Sequence, residues 1–340
     1  MKYKRSIFNV EIEKLSDGRK LIYNTYSGIF GIMDKKTQNI FDDIECFNYL
    51  DAAEGEMNNI SIMLKSGYIV DLEKDELATL KIERTTNRHP QDRLQLTIAP
   101  TMDCNMRCPY CYESRANSAM TNEVQEQLVT FVKAHIEFNP SIKSVDVMWY
   151  GGEPLMQREV IYNLSKSFID YFNEKDIEYT AKIITNGALL DADTAKCLVD
   201  ECKIRHAQIT IDGLKENHNK RRILASGEDS WDVIMRNIEV CKGFLPMSIR
   251  VNVDKDNIGD IDAFTKYFLE EKGWIKNPEF YLAPVEDYSD ACLISKSKCL
   301  EGKEFAEINY EFLKATYAVN RDAVSRQFFP STLPILNLRI

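Results

Sequence analysis

Between residues 94 and 283, six short apolar runs (94–99, 145–150, 181–184, 207–211, 248–253 and 279–283) are separated by helical patterns near 121–137, 156–173, 191–201, 231–243 and 260–271. Strand-sized runs alternating with helix-sized ones call for parallel βα units, because one parallel strand can follow another only through a crossover. Six units are fewer than the eight of a closed barrel. The expected class is therefore α/β, a partial (β/α)6 TIM-like barrel over residues 94–290. In such barrels the chemistry sits on the loops leaving the C-terminal ends of the strands, so those loops are the first to read for function.

Ahead of the barrel, Phe8, Val10 and Ile12 alternate with polar residues, Ser16-Asp17-Gly18 supplies a turn, and Leu21-Ile-Tyr23 continues as a second strand of a hairpin. A third strand is expected at 29–33, helical spacing at Ile40, Phe41 and Ile44, and an extended piece at Gly67-Tyr-Ile-Val70. Residues 1–85 are thus expected to form a small N-terminal α+β unit. The charged stretch 75–93, with a helix at its start, would link it to the barrel. Residues 291–340 read as a helical tail, with a helix at 304–318 and prolines at Pro330 and Pro334.

The formal net charge of -10 argues against a protein that tracks a nucleic-acid backbone, which would carry a basic stripe. No apolar run can span a bilayer, and the start Met1-Lys-Tyr-Lys-Arg5 leads into a segment too polar for a signal peptide. A cytoplasmic location follows, with no nucleic-acid or membrane partner. Thiols there stay reduced, so Cys46, Cys197, Cys202 and Cys241 read as buried or incidental.

Cys104, Cys108 and Cys111 are different. They lie in Thr101-Met-Asp-Cys-Asn-Met-Arg-Cys-Pro-Tyr-Cys-Tyr112, on the loop after the first expected strand. Nine cysteines scattered over 340 residues would produce a C-x3-C-x2-C run only about 0.006 times. Three thiolates can hold three irons of a [4Fe-4S] cube and leave the fourth open to an exchangeable ligand. A structural zinc site would want four closing ligands from paired C-x2-C units; unconnected core thiols are the plainer alternative.

Further marked segments fall at strand ends. Trp149-Tyr-Gly-Gly-Glu-Pro154 follows the second strand, where glycines admit close backbone approach and an acid can pair with an ammonium. Thr185-Asn186-Gly187 and Asp212-Gly213 end the third and fourth strands, and a capping or turn role is the plain reading of Asn186. His218-Asn-Lys-Arg-Arg222 could equally be a solvated charge run. Arg250 and Asn252 alternate with Ile249, Val251 and Val253, so one face of that strand presents polar groups to the barrel.

Taken in this order, the cysteine run, with Tyr110 as the aromatic before its last cysteine, and the Gly-Gly-Glu-Pro segment resemble the radical S-adenosylmethionine (radical SAM) superfamily. The resemblance implies a [4Fe-4S] cluster on Cys104, Cys108 and Cys111. It places Gly151, Gly152 and Glu153 near the amino group of S-adenosyl-L-methionine, with Tyr110, Asn186 and Asp212 along the cofactor pocket. Arg222, in a segment similar to H-D-x-x-R but with Asn219 where an acid is usual, would meet the cofactor carboxylate, and Arg250 would face the same space. In that chemistry the reduced cluster donates an electron and the cofactor yields a 5'-deoxyadenosyl radical.

The N-terminal unit, together with the Gly-Gly-Glu-Pro and Thr-Asn-Gly elements, makes the chain similar to the radical SAM/SPASM peptide and protein maturases, where such a unit often binds the leader of a ribosomally made peptide. That implies a peptide or protein substrate and an electron donor such as a flavodoxin or ferredoxin; a strand edge could take the peptide by β-augmentation. The chain departs from those maturases after Cys292 and Cys299, beyond which there is no cysteine. Two thiolates do not complete an ordinary cluster site, so the expectation is a chain without the SPASM domain, either naturally short or truncated. A cluster-containing peptide-binding protein without catalysis and a small-molecule radical SAM enzyme stay open as alternatives. Glu286, Asp287 and Tyr288 near the sixth strand's end receive no role.

Overall fold

Local chemistry starts the first elements. The computed structural model describes residues 2–88, 91–114, 116–274, 277–287 and 296–319, which fall into two compact units, one of residues up to 88 and one from 91 onward. In the first, β1 (Tyr3–Arg5), β2 (Asn9–Lys14), β3 (Lys20–Asn24) and β4 (Ile29–Met33) precede α1 (Lys35–Asp42), α2 (Glu54–Lys65), β5 (Ile69–Asp71) and α3 (Glu76–Arg88). Asp34 caps α1 by accepting from the Thr37 amide, and Glu56 in the first turn of α2 accepts from the Ala53 amide at 3.0 Å.

Strands β2, β3 and β4 form an antiparallel sheet, while β1 pairs with β5. The sheet's inner face contributes Ile22 and Met33 to a core with Ile40, Phe41, Ile44, Ile60, Met63, Tyr68 and Ile69. Its other face leaves Val10, Phe30 and Ile32 exposed. Helix α3 fills most of the stretch read as a linker, and α2 and β1 lie where the sequence pattern gave no element.

The second unit runs β6 (Arg93–Ile98), α4 (Asn122–Phe138), β7 (Ser144–Trp149), α5 (Arg158–Glu174), β8 (Glu178–Thr185), α6 (Ala192–Asp200), β9 (Ile204–Thr210), α7 (Lys215–Arg221), α8 (Trp231–Cys241), β10 (Met247–Val253), α9 (Ile261–Thr265), a π-helical continuation (Lys266–Glu271), β11 (Glu279–Pro284) and α10 (Gly302–Val319). The six strands lie in sequence order, all parallel. This is the partial barrel expected from the alternation, with β8 and β9 each starting three residues earlier than their apolar runs.

Register explains where ligands can go. Val145, Val147, Ile183, Ala207, Ile209, Ile249 and Val251 share one fully buried face and join the core built with α5 residues Ile161, Leu164, Phe168 and Phe172. Each of the buried Val, Ile, Leu and Phe side chains contributes about 1.5–3 kcal/mol. The opposite face carries Asp146, Lys182, Gln208, Thr210, Arg250 and Asn252. A parallel sheet covered on both faces would be apolar on both; this one keeps a polar concave side. Helix α10 belongs to the same core through Phe312 and Leu313.

No helix among the described residues is long and apolar enough to cross a membrane. Cys202 and Cys241 are buried as expected, but Cys46 is exposed and Cys197 half-buried. The apolar neighbours of Cys46 turn inward and leave its thiol outside. Tyr288, Cys292, Pro330 and Pro334 lie outside the described residues.

Candidate functional site

The chain leaves β6 at Ile98 and carries all three clustered cysteines, each half-buried, before entering α4. Backbone bonds from the next βα unit set this loop. The amides of Tyr150, Gly152 and Glu153 donate to the carbonyls of Ile98 (2.9 Å), Thr101 (3.1 Å) and Asp103 (2.8 Å). Side chains at the two glycines would destroy the contact. A Cβ on Gly151, whose φ is +114°, would stand 2.3 Å from Thr101 O, and one on Gly152 would stand 2.2 Å from Asp103 O.

Across the loop, the segment after α7 holds the other side. The Arg107 amide donates to Ile223 O and the Ala225 amide to Asn105 O, each at 2.8 Å, and Met106 and Leu224 form an antiparallel bridge. The Arg107 guanidinium closes the turn by donating to the carbonyls of Cys104 (2.6 Å) and Met106 (2.8 Å).

Glu153 is wholly buried. Its Oε1 accepts from the Leu155 amide (3.0 Å) and Thr185 Oγ1 (2.7 Å), and its Oε2 from the Asn186 amide (2.7 Å), so it ties the β7 loop to the end of β8. Burial raises its pKa against the pull of those bonds. Three donors leave Oε2 with acceptor capacity. Asn186 reaches the cysteine loop: its Nδ2 donates to Asn105 Oδ1 at 2.6 Å and lies 3.9 Å from Cys104 Sγ.

Half-buried Tyr110 and buried Asp212 and Arg222 form a network beside Cys108. The Tyr110 hydroxyl donates to Asp212 Oδ2 and accepts from Arg222 Nη1 at 2.7 Å. Arg221 covers the Tyr110 ring at 5.0 Å from its centroid and donates to both Asp254 oxygens at 2.9 and 2.8 Å. Asp212 Oδ1 also accepts from the Asn252 amide at 2.9 Å. Buried Nε of Arg222, and Nε and Nη2 of Arg221, have no hydrogen-bond partner.

Electrostatics follow from this enclosure. Burial pushes the Tyr110 phenol well above its usual range and the Cys104 thiol up to about 11; it raises Cys108 too, although the Arg222 charge opposes it. Burial also works against the charge of Arg222, but Tyr110, Cys108 and Asp212 outweigh it and leave the guanidinium more basic than usual. His218 is buried, with Nδ1 accepting from the Asp212 amide at 3.4 Å and Nε2 at 3.1 Å from Ser230 Oγ; burial drives its pKa well below the usual value and keeps it neutral. The solvated charge run is therefore corrected to a short helix, α7, whose His218, Arg221 and adjoining Arg222 point inward.

The fold thus gathers the cysteines, Tyr110, Gly151, Gly152, Glu153, Asn186, Asp212 and Arg222 at one rim. Arg250 sits on the polar face of β10, its Nε donating to Asn252 Oδ1 at 2.8 Å. Among the described residues no three His, Cys, Asp or Glu groups could share a single metal ion; thiolates that each take a different iron of a cube need not converge on one point. Four residues had no assigned role from the sequence: Asn105, the Asp254 partner of Arg221, and the hydroxyl pair of Tyr112 and Tyr150. Asp254 and Tyr150 sit directly after strands, the position that singled out Asp212.

A sequence model of the Radical SAM superfamily matches residues 98–268. The chain is 28% identical over 185 residues to a cysteine-type anaerobic sulfatase-maturating enzyme of Clostridium novyi (strain NT), an overlap of 52% of this chain and 48% of that protein. It therefore spans about half the length of the curated relatives it matches. Among solved structures, native anSMEcpe with bound AdoMet and the Kp18Cys peptide superposes with a TM-score of 0.54 at 26% identity, covering 69% of this chain and 62% of that one. The same protein with bound AdoMet gives a TM-score of 0.53 at 27% identity, covering 66% and 59%.

Proposed function

The chain belongs to the radical SAM superfamily, whose sequence model spans half of it, and from that premise we propose that it is an enzyme that modifies a peptide or protein. Cys104, Cys108 and Cys111 would hold a [4Fe-4S] cluster, and S-adenosylmethionine would sit beside it. When bound, the two supply reductive cleavage of the cofactor and a 5'-deoxyadenosyl radical that takes a hydrogen atom from the substrate. The observation that carries this reading is the docking of the cysteine loop on Gly151 and Gly152 at the C-terminal end of the strands.

The donor set fits both groups. Three thiols share one loop, and a buried guanidinium with an unpartnered Nε lies next to them, the chemistry a cofactor carboxylate needs. The remaining acceptor site on Glu153 Oε2 would take the cofactor's ammonium. Asp212 and Arg222 hold the Tyr110 hydroxyl from both sides and so fix the span between Cys108 and Cys111. Arg250, on the polar face of β10, would face the substrate end of the same space.

A peptide substrate is supported by the relatives, one a sulfatase-maturating enzyme and another solved with a bound peptide. In the first unit, β2 and β4 are the edges of the three-stranded sheet, and either can accept an extended leader segment. The electron would come from a flavodoxin or ferredoxin. The test is anaerobic reconstitution with iron and sulfide, then dithionite and S-adenosylmethionine, with chromatography for 5'-deoxyadenosine. Wild-type protein is expected to form it, and a C104A/C108A/C111A triple variant to form neither cluster nor product. Cofactor cleavage by the triple variant would sink the reading.

A further inference from the structure

We infer that Asn186 is a positioning residue for the cluster, serving the first cysteine through an amide hydrogen bond to Cys104 Sγ that raises the cluster's reduction potential. The inference rests on the proposed cluster site. Cys104 is half-buried, and sulfur withdrawn from water needs donors aimed at it to carry a ligand's negative charge. Two are in place: the Met106 amide at 3.4 Å and Asn186 Nδ2 at 3.9 Å.

The orientation of the Asn186 amide does not depend on that contact. The Ala188 amide donates to Asn186 Oδ1 at 3.0 Å, which forces the NH2 group toward the cysteine loop. One of its hydrogens is taken by Asn105 Oδ1 at 2.6 Å, and the second remains for the sulfur. The backbone is fixed as well, since the Asn186 amide donates to buried Glu153 at 2.7 Å. Glu153, Asn186 and Cys104 thus form a relay across three βα loops. Hydrogen bonds to ligating sulfur favour the more negative, reduced cluster and raise its potential.

The experiment is an EPR-monitored redox titration of the anaerobically reconstituted full chain, without S-adenosylmethionine. Asn186→Ala is expected to lower the midpoint, cutting the ratio of reduced to oxidised cluster about fivefold at the wild-type midpoint, the effect of one ordinary hydrogen bond. Asn105→Ala, which removes the neighbouring acceptor but leaves the donor, is expected to keep the wild-type midpoint. Deuterium ENDOR of the reduced wild type should show an exchangeable deuteron strongly coupled to the cluster that is missing in Asn186→Ala. Should Asn186→Ala fail to take up iron, Asn186→Leu is titrated in its place, with the same expectation. A loaded Asn186 variant with an unchanged midpoint, or wild type lacking a deuteron that the variant removes, overturns the inference. Wild type that takes up no cluster at all overturns instead the function on which it rests.

Discussion

The rim of the barrel and the sheet of the first unit use opposite solutions to the same problem of unpaired polar groups. At the rim, four βα loops satisfy one another: Gly152 and Glu153 donate to the β6 loop, Glu153 accepts from the β8 loop, and Tyr110 meets Asp212 and Arg222 from the β9 side. In the first unit, buried Ser6, Asn24 and Glu76 are bonded across the unit, but β2 and β4 remain edges, and Val10, Phe30 and Ile32 stay exposed on the outer face. A pre-organised rim suits chemistry, whose groups must already be in place. An open edge suits recognition of a segment that arrives extended.

The sharpest way to break this comparison is Gly152→Ala. Its Cβ would meet the Asp103 carbonyl, backbone that cannot swing aside, at 2.2 Å. The expected outcome is loss of nearly all iron uptake, read from the absorbance of the reconstituted protein, with the far-ultraviolet circular dichroism unchanged. Wild-type iron content would show that the β6 loop is not set by its neighbour.

Asp254→Ala tests whether the rim's charges depend on one another. Arg221 is buried against Asp254, and removing the carboxylate strands the guanidinium over the Tyr110 ring. Losing one partner of a buried pair costs about 3–5 kcal/mol, to be read from urea unfolding followed by tryptophan fluorescence. All three tryptophans, Trp149, Trp231 and Trp274, belong to the second unit. A shift under 1 kcal/mol would class the pair with exposed ones.

Gly31→Ala is the counterpart in the first unit. A Cβ there would stand 2.5 Å from the hydroxyl of Tyr68, which itself donates to Ile29 O at 3.2 Å. A hydroxyl at the end of a side chain can yield where a backbone carbonyl cannot. The expected cost is about 1–3 kcal/mol, confined to hydrogen exchange of β3, β4 and β5, with iron uptake at the wild-type level. Iron loss in this variant would mean that the two regions are not separate in function.

How much of this was legible in sequence depends on whether the signal was local. Strands β6–β11 show as apolar runs because one face lies wholly under helices, and Cys104, Cys108 and Cys111 declare themselves by spacing alone. Gly151, Gly152 and Glu153 were legible as a motif, but the docking of Gly152 against Asp103 depends on parallel register between β6 and β7. Helix α7 was missed for a physical reason: its inward face is His218 and Arg221, so no apolar stripe marks it. The same holds for Arg221 and Asp254, separated by 33 residues and joined only because β9 and β10 are neighbours.

The smallest effect comes from His218 and distinguishes the two regions by pH. Residues 2–88 contain no histidine, whereas His218 lies buried and neutral under Asp212 and Ser230. Its folded pKa is depressed well below 6.5, so below that value the unfolded chain binds a proton that the folded chain refuses. The stability it contributes is intact above pH 6.5 and is lost as the pH falls toward its folded pKa, by about 1.4 kcal/mol per pH unit. His206, also depressed by burial, adds a slope of the same sign, so the His218 part is the difference between wild type and His218→Gln. Exchange of β9 and β10 amides between pH 7 and 5, corrected for intrinsic rates, should steepen in the wild type relative to the variant, while β3 and β4 behave alike in both. Equal slopes at β9 and β10 would mean that the imidazole takes up its proton inside the fold, and that the rim tolerates a charge there.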